Sequence, residues 1–127
     1  MATHWTLGCD ADDPQRIAAF WAGALGYVLE PGFDGPDNAS IVDPDDVGPA
    51  IGFLKVPEAK TSKNRMHIDV RVAGKGPWEM AERERLIRAK VAELVAAGAT
   101  PLREEQYGEH LGHVVMLDPE GNEFCVA

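Results

Sequence analysis

His4 to Pro14 reads HWTLGCDADDP, and His67 to Pro77 reads HIDVRVAGKGP. Each stretch runs from a histidine, through alternating residues, to a proline ten positions later, and the second lies 63 residues after the first. In the first, Trp5, Leu7 and Cys9 alternate with His4, Thr6 and Gly8, the two-residue period of a strand from His4 to Asp10. Asp12-Asp13-Pro14 then supplies a capping carboxylate and a proline suited to the first helical position. Ile17, Phe20, Trp21, Ala24 and Leu25 follow at helical spacing, and Gly26 ends the run. In the second, Met66, Ile68, Val70 and Val72 share one strand face, with His67, Asp69 and Arg71 on the other. Gly76-Pro77 is expected to open a helix whose apolar positions are Met80, Ile87, Val91, Leu94 and Val95, ended by Gly98. Glu79–Arg83 and Glu84–Arg88 are i,i+4 pairs on its outer face, worth a few tenths of a kcal/mol each at about 0.2–0.5.

Outward from these landmarks the same order recurs. Strands are expected at Tyr27–Glu30, Ala39–Val42 and Ala50–Val56 in the first half. In the second half they are expected at Thr100–Glu104, His113–Leu117 and Glu123–Ala127. Gly98 sits 72 residues beyond Gly26, and Asp118-Pro119 sits 75 beyond Asp43-Pro44, the drift that insertions give a duplicated unit. The reading is an α+β chain of two βαβββ modules, one about 1–57 and one about 65–127, joined by a polar linker at about 57–64. The chain is read as one domain, 1–127. Each module buries one sheet face under its helix and leaves the other bare. Two such faces form an open, curved eight-stranded mixed sheet around a central cleft, helices outside, and the cleft is the expected ligand pocket. Strand parity sends Trp5, Leu7, Cys9, Phe124 and Val126 to the core. It sends His4, Thr6, His67, Asp69, Arg71, Glu123 and Cys125 toward the cleft. On the fourth strand either Phe53, or Gly52 with Leu54, lines it.

Composition narrows the function classes. The chain has 127 residues, 45% apolar and 26% charged, with a formal net charge of −9. Phosphate backbones repel such a surface, so neither nucleic acid nor an anionic membrane is an expected partner. The one basic cluster, Lys55, Lys60, Lys63 and Arg65, reads as a solvated loop. No run approaches the roughly 20 apolar residues of a membrane span. The opening MATHWTLGCDADD lacks a basic-then-apolar leader, so a cytoplasmic protein with Cys9 and Cys125 as free thiols is expected.

The opening HWTLGCDADDPQRIAAFWAGALGY, the central KNRMHIDV and the closing DPEGNEFCV together resemble the vicinal oxygen chelate superfamily. That group includes glyoxalase I, extradiol dioxygenases and bleomycin-resistance proteins, and the nearest resemblance is to its glyoxalase-like subgroup. The resemblance implies the fold just derived, and homodimers are frequent among relatives of this size. Metal-using members similar to glyoxalase I place one ligand on the first and last strands of each half. By that likeness His4 and His67 fall at two ligand positions. The fourth strand has no acid, and Cys125 stands where a glutamate is expected, with Glu123 two residues earlier.

The favoured reading is therefore a small-molecule-binding protein, not a glyoxalase I-type metal enzyme, with no metal and no cofactor. His4, Thr6, Phe53, Glu123 and Cys125 are the expected ligand-contacting residues. The alternative is a lyase or isomerase in which His67 and Asp69, two apart on one strand, perform acid–base chemistry, with or without a divalent metal at His4 and His67. A His4, His67 and Cys125 donor set would suit zinc. Tyr107 to His113 carries two glycines and suits either a loop that closes over a ligand or a plain hairpin. No phosphate loop, nucleophile elbow or Cys-x-x-Cys is present.

Overall fold

A computed structural model describes all 127 residues. The chain divides into two compact units, Met1–Lys60 and Thr61–Ala127, each with one helix and one four-stranded mixed sheet. The eight strands and two helices expected from the repeat are all present, and the unit boundary falls inside the polar 57–64 stretch.

The first unit contains β1 (Leu7–Ala11), α1 (Pro14–Leu25), β2 (Val28–Leu29), β3 (Asn38–Val42) and β4 (Ile51–Lys55). The sheet order is β1-β4-β3-β2, with β1 parallel to β4 and the other pairs antiparallel. Helix α1 starts where the sequence placed it. Asp13 caps it by accepting from the Arg16 amide at 3.3 Å, Pro14 occupies the first turn, and Gly26 closes it at φ 72°. That left-handed closure favours glycine, which has no Cβ to clash. Ile17, Ala18 and Trp21 are buried, and so are Ala39, Ile41, Ile51 and Phe53 on the sheet face beneath the helix. Each large side chain so buried stabilises the unit by about 1.5–3 kcal/mol before entropy is counted.

The second unit contains β5 (Asp69–Val70), α2 (Met80–Ala96), β6 (Thr100–Tyr107), β7 (His110–Leu117) and β8 (Glu123–Val126). Its order, β5-β8-β7-β6, repeats the first with β5 parallel to β8. The helix-side core is Ile87, Leu94, Val114, Met116, Phe124 and Val126, all buried.

The structure corrects several expectations. The first strand begins at Leu7, because pairing with β4 begins at Leu7↔Ile51. Trp5, expected in the core, therefore has no partner strand beneath it and is 62% exposed. Likewise β5 pairs with β8 only at Asp69 and Val70, leaving Met66 exposed, although the Val72 amide still donates to the Ala127 carbonyl at 2.8 Å. Pro77 does not begin the second helix. Glu79 caps it, accepting from the Ala81 and Glu82 amides, so the expected Glu79–Arg83 pair gives way to a cap. Arg83 is buried instead, its Nη1 donating to the Leu111 carbonyl at 3.3 Å and its guanidinium lying 4.9 Å from the Trp78 ring centre. The Glu84–Arg88 pair forms at 3.3 Å. Val95 lies on the exposed side of α2. Tyr107 to His113 resolves as the β6–β7 hairpin, with Gly108 at φ 65° in its turn. The second half of the presumed linker is tied to β8: Asn64 Oδ1 accepts from the Glu123 amide at 2.8 Å, and Lys63 pairs with the Glu123 carboxylate.

Candidate functional site

Residues paired across a sheet share a face, so the register gives the composition of each open face. In the first unit, Gly8 pairs with Gly52 and Gly52 with Ser40, while Asp10 pairs with Leu54 and Leu54 with Asn38. This is the face away from α1. A cavity of about 620 Å³ lies on it, bordered by Thr6, Asp10, Glu30, Phe33, Ser40 and Leu54 among others. Its floor is bare backbone at Gly8 and Gly52, where an added Cβ would meet no atom within 4 Å. Glycine inside a strand often marks a place where another molecule approaches the backbone. On the wall, Ser40 Oγ donates to Glu30 Oε2 at 2.7 Å, which orients that carboxylate.

In the second unit, Asp69 pairs with Cys125, Cys125 with Val115, and Val115 with Arg103. His67 precedes β5, and its Nε2 lies 3.2 Å from Asp69 Oδ1. His67, Asp69 and Cys125 each bring one ligand-type atom within 4.8 Å of the others. The Cys125 thiol is pushed up from its ordinary pKa, first by burial and then by the Asp69 carboxylate it hydrogen-bonds, with Arg103 pulling the other way. Glu123 is held below the usual carboxylate range, chiefly by its hydrogen bond with Lys63. A thiol raised in this way is a poor nucleophile at neutral pH.

The expected site residues meet different fates. His67, Asp69 and Cys125 come together, and Thr6 borders the cavity of the first unit. His4 lies in the exposed segment before β1, beside a smaller depression shared with Trp5, Asp46 and Val47. Phe53 is among the residues that border the cavity of the first unit, but its side chain is only 3% exposed and lies on the helix face, so Gly52 and Leu54 hold the open-face positions of β4. Glu123 is engaged with Lys63 and Asn64. Gly8, Asp10, Glu30 and Ser40 were not singled out from sequence. The available signal was a glycine at an alternating position in each of two strands, Gly8 and Gly52. The glyoxalase I ligand set does not fit this chain, because neither Gly52 nor Leu54 offers a donor on β4.

No curated protein matches the chain at a significant level. Among solved structures it is similar to a glyoxalase/bleomycin resistance protein/dioxygenase family enzyme from Burkholderia phytofirmans PsJN. That match has TM-score 0.71 and 19% identity, and covers 95% of this chain and 94% of that one. A glyoxalase-related enzyme from Fulvimarina pelagi matches with TM-score 0.68 and 19% identity over 100% of this chain and 88% of its own. The fosfomycin resistance protein FosX from Mesorhizobium loti matches with TM-score 0.63 and 11% identity, covering 99% of this chain and 91% of that one. The model of the glyoxalase-like domain family matches residues 6–127. With the βαβββ repeat, the mixed sheet order and this match in agreement, the chain belongs to the glyoxalase-like domain family of the vicinal oxygen chelate superfamily.

Proposed function

We propose that this protein binds a small organic molecule on the open face of its first sheet. The observation that carries the reading is the cavity of about 620 Å³ over the Gly8–Gly52 floor. Its size falls within the roughly 300–1,000 Å³ usual for small-molecule sites. Phe33 and Leu54 supply apolar wall, while Thr6, Asp10 and the Ser40-oriented Glu30 supply polar contacts. Two carboxylates on the rim favour a neutral or cationic ligand over an anionic one.

The test uses a mixed set of aromatic and aliphatic fragments, with binding read by ligand-observed NMR. Fragments are expected to bind the wild type and to lose binding in Gly52→Val, whose side chain fills the floor. His67→Ala is expected to leave them bound. Equal binding by Gly52→Val, or no binding by the wild type, would refute the assignment.

A second reading is favoured by the 3.2 Å approach of His67 Nε2 to Asp69 Oδ1. A carboxylate at that distance orients an imidazole and supports proton transfer, the chemistry of a lyase or isomerase. It predicts turnover that falls by about 10²–10⁴-fold in His67→Ala, with fragment binding at the first sheet unaffected.

A further inference from the structure

Charge is unevenly shared between the two units. Met1–Lys60 holds ten carboxylate side chains against three lysine or arginine side chains, so most of the net charge of −9 falls on the first unit. Two of those carboxylates, Asp10 and Glu30, border the first-sheet cavity, and no lysine, arginine or histidine does. Resting on the small-molecule reading of that cavity, we infer that its ligand class is an organic amine. The protonated N–H group sits on Glu30, and the apolar body lies on the Gly8–Gly52 floor. An anion is disfavoured there by both carboxylates, and a neutral molecule leaves them without a counter-charge. The surplus of negative charge on the unit also draws cations toward it.

The geometry seats both ends of such a molecule. Gly8, Gly52, Ser40 and Glu30 form one row across the sheet, and the Glu30 amide donates to the Ser40 carbonyl at 2.8 Å. Strands lie about 4.8 Å apart, so the two glycines leave roughly 10 Å of bare backbone beside Ser40, room for a ring and a short linker. Ser40, itself only 8% exposed, gives its hydroxyl proton to Glu30 Oε2 at 2.7 Å. That bond fixes the carboxylate and leaves Oε1 to accept an N–H from the ligand. A quaternary ammonium has no such proton, so the site favours a primary or secondary amine. Asp10 stands in the neighbouring row beside Leu54 and adds negative potential. Phe33 adds an aromatic face, which attracts cations. Its loop is tied to α1 before any ligand arrives, because Gln15 Nε2 donates to the Phe33, Gly35 and Asn38 carbonyls at 3.0, 2.7 and 2.9 Å.

The experiment titrates the full-length protein at pH 7 with three probes of one skeleton: 2-phenylethylamine, 2-phenylethanol and phenylacetate. Binding is read by ligand-observed NMR. The amine is expected to bind roughly tenfold or more tightly than the alcohol, the gain of a hydrogen bond to a charged group, and phenylacetate is expected to bind weakest. Glu30→Gln keeps the side-chain shape and can still accept from Ser40. It should lower the amine to the affinity of the alcohol and leave the alcohol unchanged. Glu58→Gln removes the same charge from an exposed residue outside the cavity and should leave the amine preference intact. Equal binding of amine and alcohol would overturn the assignment, as would a preference that survives Glu30→Gln or is lost equally in Glu58→Gln. In each of those outcomes, alcohol binding that Gly52→Val abolishes keeps the cavity reading standing while the amine class fails. Binding of none of the three probes also overturns the amine class, and the wider fragment set then decides the cavity.

Discussion

Replacing Gly52 by alanine should make this protein more stable. Gly52 sits mid-strand on β4 between Gly8 and Ser40. Its backbone is outside the positive-φ region, and a new Cβ meets nothing within 4 Å. The substitution therefore creates no clash and no strain. Its main effect is on the unfolded chain, where alanine has less freedom to lose. Glycine in a strand interior costs roughly 0.5–1 kcal/mol relative to alanine, so Gly52→Ala should gain about that amount. For a chain of this length, that corresponds to a rise of about 2–5 °C in Tm. Gly8→Ala should do the same, and since the two residues are partners their gains need not add. Urea denaturation followed by circular dichroism measures this directly: the midpoint should rise with the m-value unchanged. The same variants place methyl groups on the cavity floor, so fragment binding should weaken as stability rises, the trade expected where a site is kept at a cost in stability. A loss of stability in Gly52→Ala would refute the claim that the open face has room there. A gain in stability with fragment binding intact would separate the glycines from ligand recognition.

Gly112→Ala should act in the opposite direction, because its Cβ would overlap the Tyr107 ring. Expelling that ring breaks the 2.9 Å Tyr107–His113 hydrogen bond and should cost about 1–3 kcal/mol; the Tyr107→Ala background should remove much of the added penalty in a double-mutant cycle. Acid should destabilise both units. Asp43 is held low by backbone amides of Gly48, Asp45 and Val47, and Glu84 chiefly by the Leu111 amide. A depressed folded-state pKa gives stability that is present above the ordinary carboxylate value and is lost as pH falls through the depressed one. Stability should therefore drop below about pH 4, and Asp43→Asn or Glu84→Gln should flatten that dependence in pH-resolved denaturation. Asp13→Ala removes the α1 cap and should cost about 0.5–2 kcal/mol by urea denaturation, with no cost if the helix is held by packing alone.

Helix α1 was readable residue by residue, since Asp13, Pro14 and Gly26 act on their own neighbours. Helix α2 was readable as an element but not at its start, because Glu79 could pair with Arg83 or cap the helix, and the cap prevailed. The shared face of Asp69 and Cys125 followed from alternation along each strand, whereas His67 lies before the paired part of β5. Trp5 was misplaced because alternation counts as burial only where a partner strand exists, and pairing stops at Leu7. Phe53 and Gly52 could not be ordered from sequence, because a one-residue shift in register exchanges the two faces of β4.

Local chemistry within a few residues thus determined the strand–helix–three-strand repeat, the caps and the His-bearing strand approaches. Those signals depend on neighbours at most four positions away, and they are written directly in the chain. Tertiary structure alone decided which distant residues meet. Gly8 lies across from Gly52, and Cys125 lies beside Asp69, only through strand register. These pairings generate the cavity floor of the first sheet and the three-donor cluster of the second. Register is set by the sum of side-chain packing over the whole sheet, so no single stretch of sequence carries it.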